Sequence, residues 1–180
     1  MLSRVFFACI FLCLFCACSS LSCRWIEHKF RQYSTNSLTL LDMMAYHHVN
    51  QDPLVNIAPF PNPLYHQASG ASAEAKLSFA VQILKEVSAL FEEDDSSSSW
   101  QEVTMEHFLN VVNKQADELQ LCAGTPRRPN RRLHMYFKRL SNTVFGQMGH
   151  SAEAWELLRR EIKLHLIRAD HLVSSLFISN

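Results

Sequence analysis

A single all-α bundle is the fold this sequence predicts, and three observations point to it. Apolar residues recur at three- and four-residue intervals along most of the chain, with no sustained two-residue alternation. The six prolines fall in two places, Pro53 to Pro63 and then Pro126 with Pro129, and the four glycines stand at the edges of the periodic segments. A composition of 48% hydrophobic and 11% aromatic residues over 180 positions supplies one buried core and argues against disorder. The 17 basic residues balance 17 acidic ones, which excludes a strongly basic nucleic-acid binder and an acidic tail protein.

The chain opens with a targeting signal. Arg4 gives a positive start, and Val5 to Phe15 is an uncharged apolar run too short to span a bilayer but right for a signal-peptide core. Cleavage is expected after Ser22, with a rival site after Ser19. The expected organisation is therefore a signal peptide over 1–22 and one domain over 23–180. Of the six cysteines, Cys9, Cys13, Cys16 and Cys18 leave with the signal, and Cys23 and Cys122 remain. In an oxidising compartment these two have one intramolecular pairing, the alternatives being two thiols or a bridge between chains. No Asn-x-Ser/Thr sequon occurs, and no later run is long enough for a transmembrane helix.

Five main helices are predicted. The first spans about Arg24 to Tyr46 with Trp25, Phe30, Leu38, Leu41 and Met44 inward; its weak centre, Ser34 to Ser37, is expected to fray or kink. His47 to Gly70 reads as a long proline-rich crossover, a length that usually spans a bundle or meets a partner. The second helix, about Ser72 to Phe91, carries Leu77, Val81, Leu84, Val87 and Phe91 on one stripe. After the acidic, serine-rich turn Glu92 to Ser99, Ser99 and Glu102 have capping-box spacing. The third helix then runs to about Cys122, with Trp100, Val103, Phe108, Val111, Val112 and Leu119 inward. The fourth, about Arg131 to Phe145, uses Leu133, Tyr136, Phe137, Leu140 and Val144, with Gly146 as its expected cap. The fifth, about Ser151 to Ser174, uses Trp155, Leu158, Ile162, Leu166, Ala169 and Val173. Five helices with one long crossover fit a bundle with overhand connections.

Chemistry is poorly represented. No nucleophile elbow, H-E-x-x-H or phosphate-cradling glycine loop is present, so no catalytic residue, metal or cofactor is expected. Adjacent residues on a helix point about 100° apart, so His47 and His48 are no chelating face; the histidines read as surface or capping residues. Trp100 and Trp155, at inward positions, read as core anchors. Two basic surfaces stand out: Arg127, Arg128, Arg131, Arg132, Lys138 and Arg139, and Arg159, Arg160, Lys163 and Arg168 on the last helix. In the second, Glu156 lies within one turn of Arg159 and Arg160, a surface pairing worth about 0.3–0.5 kcal/mol.

Several blocks together resemble the type I interferons. They are the start Cys23-Arg-Trp25; Phe91 through the acidic turn to Trp100, with Cys122 closing that helix; Tyr136-Phe137 followed by Arg139; and Ser151-Ala-Glu-Ala-Trp-Glu-Leu-Leu-Arg-Arg-Glu-Ile162, which is close to the family's Cys-Ala-Trp-Glu signature. Glu153 stands at the signature's cysteine and the crossover has no cysteine, so the family's second disulfide is absent, while Cys23 and Cys122 match the one that is kept. This is similar to the two-cysteine interferon group of bony fish.

The resemblance implies a helical-bundle cytokine of up-up-down-down topology. It further implies a secreted antiviral protein that joins two class II cytokine receptor chains and activates Janus kinase signalling. One receptor chain is expected to meet the first helix, crossover and last helix, with Arg159 as its leading contact and Arg160 and Lys163 at neighbouring positions. The other is expected on the opposite face, at Ser88, Ala89, Thr104, Leu109 and Asn113, without the family's aromatic residues there. A monomer free of nucleic acid and of stable membrane association is expected. Another helical cytokine, of interleukin or growth-hormone type, or a membrane-active helical protein, is the alternative.

Overall fold

The computed structural model describes residue 23 and residues 26–45, 59–92 and 102–177. Among them are six α-helices and no strand: α1 (Arg31–Met43), α2 (Asn62–Ser69), α3 (Ala73–Glu92), α4 (Glu102–Ala123), α5 (Arg131–Met148) and α6 (Ala152–Ser174). A π-helical turn, Ile26–Phe30, leads into α1 and buries both of its end residues. The signal segment, Trp25, Trp100 and residues 93–99 of the acidic turn lie outside the described residues, while Glu92 ends α3.

Helix α3 is the central element, packing against α4, α6, α5 and α2. Its position explains why burial is broader than the predicted stripe: Phe79, Ala80, Ile83 and Leu90 are buried together with Leu77, Val81, Leu84, Val87 and Phe91. A helix contacted on several sides needs apolar residues on several sides. Each fully buried Leu, Ile or Phe is worth about 1.5–3 kcal/mol, so this helix anchors the bundle.

The inward sets predicted for the last two helices are buried throughout. Trp155 is buried as expected, stacked on Phe91 at 5.9 Å between ring centroids and edge-on to Phe145 at 4.9 Å. These contacts tie α3, α5 and α6 together. On α4, Phe108, Val112 and Leu119 point inward, but Val103 is exposed. It lies in the first turn, beside the buried Thr104.

Three expectations change, and a fourth is not tested. The crossover contains a helix, α2, despite its prolines, because Pro61 caps it and Pro63 sits in its first turn, where a missing N–H costs nothing. Helix α1 does not fray at Ser34 to Ser37. Both serines are buried, and Gln115 Nε2 of α4 donates to Ser34 Oγ at 3.2 Å. Small polar residues there allow α1 to approach α4 closely. Helix α5 runs past Gly146 to Met148 and is capped by Gly149, whose φ of 60° suits glycine and whose N–H donates to Phe145 O at 2.8 Å. Helix α4 begins at Glu102, so the rest of the expected capping box falls outside the described residues.

Candidate functional site

The last helix starts cleanly: Ser151 Oγ accepts from Ala154 N at 3.2 Å, and Glu153 lies in the first turn, where negative charge is favoured. Two turns on, its charged residues form an ion network with α1. Arg159 donates from Nε and Nη2 to the two oxygens of Glu156, both at 2.8 Å, a bidentate fork. Its Nη1 reaches Asp42 Oδ1 at 3.2 Å and the Leu41 carbonyl at 3.4 Å, near the end of α1. Arg160 Nε donates to the same Glu156 at 3.0 Å. Lys163 Nζ grips Asp42 through both oxygens, at 2.6 and 2.8 Å. Hydrogen bonding to Glu156, foremost, holds the Arg159 guanidinium above its already high ordinary value.

The network runs from inside to outside. Glu156 is 5% exposed and Arg159 8%, whereas 45% of the Arg160 side chain and 36% of that of Lys163 face solvent. This corrects the reading of the Glu156 pairs as weak surface pairs. Water is excluded from the Glu156–Arg159 fork, so removing one partner costs far more than at a surface. It also changes the place of Arg159. The expected leading surface contact lies beneath the surface and braces α6 against α1, while Arg160 and Lys163 are accessible.

Arg160, Leu164, Arg168 and His171 form a stripe along the outer face of α6, spaced four, four and three residues apart. Leu164 is 49% exposed and stands between two arginines. Beside the far end of this stripe, Asn62, Tyr65, His66 and Ser69 of α2 line a cleft with Arg168, His171 and Leu172 of α6. The sequence reading missed Leu164 and Asp42. Leu164 was detectable as the leucine that falls off the inward set 158, 162, 166; Asp42 lies 117 residues from Arg159 and gave no local signal.

The opposite-face residues divide. Ser88 and Thr104 are buried, which corrects their expected exposure. Ala89 and Asn113 are exposed, and Leu109 is half-buried against the core. Cys23 and Cys122 are brought side by side across the chain. Cys23 stands as a thiol, its Sγ 4.0 Å from the backbone oxygen of Cys122.

His165 is a further correction, since it is fully buried rather than at the surface. Its ring lies among Phe60, Tyr65, Tyr136 and Phe137. The Tyr65 hydroxyl sits 2.5 Å from Nδ1, and burial, together with the charge of Glu161, raises the phenol's pKa so that it remains the donor. With Nδ1 accepting, the neutral ring carries its proton on Nε2, which lies 3.9 Å from Glu161 Oε1, beyond hydrogen-bond reach. Glu161 instead accepts from the Tyr136 hydroxyl at 2.5 Å. Desolvation outweighs the nearby carboxylate and pushes His165 down to about 3. Below pH 6.5 the unfolded chain binds a proton that the folded chain refuses. Stability tied to His165 is therefore fully present above pH 6.5 and is lost toward pH 3, at up to about 1.4 kcal/mol per pH unit. The thermal midpoint is expected to fall between pH 6.5 and 4, and His165→Gln should flatten that slope. Equal slopes for the two proteins would contradict this.

Among the described residues there is no group of three or more His, Cys, Asp or Glu arranged to hold a metal ion, and no helix long and apolar enough to cross a membrane. His47 and His48 lie outside the described residues. What α1, α2 and α6 present is a charged face. Residues 26–176 match the family model described as the interferon alpha/beta domain. The chain belongs to the interferon alpha/beta family. This interferon is 36% identical over 172 residues to Interferon a3 of Oncorhynchus mykiss, with 94% of this chain and 96% of that protein aligned. The solved structure of zebrafish interferon 1 matches with a TM-score of 0.70 at 29% identity, covering 84% of this chain and 98% of that one. This protein is a fish type I interferon and a helical cytokine.

Proposed function

We propose that this interferon is a secreted antiviral cytokine. It joins two different class II cytokine receptor chains, and the Janus kinases on those chains then switch on antiviral genes. Residues 1–22 act as the signal peptide, and the mature chain from Cys23 works as a monomer with a Cys23–Cys122 disulfide. One receptor chain docks on the face made by the end of α1, α2 and α6; the second docks on the other side, around the exposed Ala89 and Asn113. The observation that carries this reading is the outer stripe of α6, where Leu164 offers an apolar anchor between Arg160 and Arg168, next to Lys163 and Asp42. Binding energy in such faces concentrates in a few central residues ringed by polar ones. Arg159 supports that face from beneath, by holding Glu156 and Asp42 in place.

Charge reversal at the accessible positions tests the docking face. Arg160→Glu with Lys163→Glu is expected to weaken the affinity of one receptor chain by at least about tenfold, with the other unaffected. Purified receptor ectodomains and the mature protein, compared by surface plasmon resonance, report this directly. Unchanged affinity for both chains, with helicity intact by circular dichroism, would remove this face from the account.

A further inference from the structure

Between Glu118 and Glu153 the chain has no Asp or Glu, yet it carries six Lys or Arg residues: Arg127, Arg128, Arg131, Arg132, Lys138 and Arg139. All six are exposed, on the segment after α4 and along α5. We propose that this surface, centred on Arg128, Arg131 and Arg132, binds a sulfated polysaccharide of the extracellular matrix or cell surface. The proposal rests on the secreted-cytokine reading for its ligand's location, but not on the receptor face.

The segment is held in place rather than loose. Gln82 of α3 donates from Nε2 to the Asn130 carbonyl at 3.0 Å, and its Oε1 accepts from Asn130 N at 2.7 Å. Asn130 in turn caps α5, accepting from the backbone N–H groups of Arg132 and Leu133. The guanidinium groups are therefore displayed from a fixed backbone. Lys85 of α3 shares with Arg127 and Arg128 the lining of a groove of about 360 Å³, so the positive surface continues onto a second element.

Local compensation is thin. Arg127 pairs with Glu74 at 3.1 Å, at the surface, and Arg139 Nε donates to the Met135 carbonyl. Glu86 faces His134. Among the described residues Arg128, Arg131, Arg132 and Lys138 have no acidic partner. Arg131 and Arg132 occupy the first turn of α5, which has no acidic residue, and the helix dipole disfavours cations there. An arrangement that opposes the helix dipole without local relief fits selection for something other than stability. Arginine's planar fork matches a tetrahedral oxyanion through paired N–H bonds.

The surroundings select among polyanions. Tyr136 and Phe137 beside the patch are buried, and the one exposed ring within it, His134, is held by Glu86, too little for a row of stacked bases. Met135 is the one large apolar side chain exposed on described α5, too little to enter a membrane or anchor a protein interface. Repeating anionic groups without apolar content fit what remains. Without residues 1–22 the chain has 16 basic and 17 acidic residues, so overall charge does not draw it to a polyanion. Retention must come from the patch.

The test compares immobilised heparin with a sulfonate resin, using purified mature protein and two triple variants of equal charge change. One is Arg128→Glu, Arg131→Glu and Arg132→Glu; the other is Arg160→Glu, Lys163→Glu and Arg168→Glu. The wild type is expected to need more salt for elution from heparin than from sulfonate. The first variant should bind heparin at least about tenfold more weakly, and the second should retain heparin binding. Equal losses in both variants, or wild-type retention no stronger on heparin than on sulfonate, overturn the proposal. So does a first variant that loses signalling on cells lacking sulfated glycans, since the patch would then meet a receptor. The column readout needs no receptor, so a failed interferon assay leaves it standing.

Discussion

Arg159→Ala is expected to lower the thermal midpoint by about 6–12 °C. The substitution leaves Glu156, 5% exposed, without the fork that neutralises it. Stranding one member of a buried ion pair costs about 3–5 kcal/mol. Arg160 still donates to Glu156 at 3.0 Å, which places the cost near 3 kcal/mol, and about 2–4 °C accompanies each kcal/mol in a domain of this size. The loss is also directional. Arg159 joins Asp42 and the Leu41 carbonyl to α6, so α1 loses part of its attachment and Lys163 alone holds Asp42. Arg159→Lys keeps a charge but no fork, and should fall between alanine and wild type. Receptor affinity lost in Arg159→Ala would then follow from displaced geometry. An Arg159→Ala protein that melts with the wild type would show that the fork contributes nothing.

The second large effect concerns Cys23 and Cys122. Their bridge would close a loop from residue 23 to residue 122, for which chain-entropy models give about 4–5 kcal/mol, less whatever strain the native state carries. Cys23 Sγ lies 4.0 Å from the Cys122 carbonyl, so the two residues are neighbours, although Cys23 stands as a thiol in the structure. The turn Ile26–Phe30 follows directly and buries Ile26 and Phe30, so the bridge would fasten the start of the domain to the end of α4. Cys23→Ser with Cys122→Ser should reduce the midpoint by up to about 8–20 °C. Scanning calorimetry with and without reductant checks this on the unaltered chain. Coincident melting curves in the two conditions would remove the disulfide from the account.

The fold was legible where one physical rule acted alone. Spacing of three and four residues identified the apolar inward sets of α5 and α6, all of them buried, but not the Glu156, Arg159 and His165 that α6 buries beside them. It underestimated α3, which is enclosed on several sides. The prolines concealed α2, since Pro63 breaks a helix interior but not a first turn. The site was less legible, because burial of a charge depends on partners far along the chain. Glu156 and Arg159 read as surface residues until Asp42 and the end of α1 close over them. His165 likewise looks polar in sequence, and only Tyr65 and the surrounding aromatic rings make its burial tolerable. The cysteines and the signature around Trp155 were readable through resemblance rather than physics.

The central claim is that this chain signals as an interferon through the α1–α6 face. Its most direct test applies the purified mature protein to fish cells and measures antiviral transcripts, with and without each receptor chain. The wild type should induce them only when both chains are present. The Arg160→Glu, Lys163→Glu protein should need at least about tenfold more material for the same response. Induction that persists without the receptors, or an equal response to both proteins, would contradict the account.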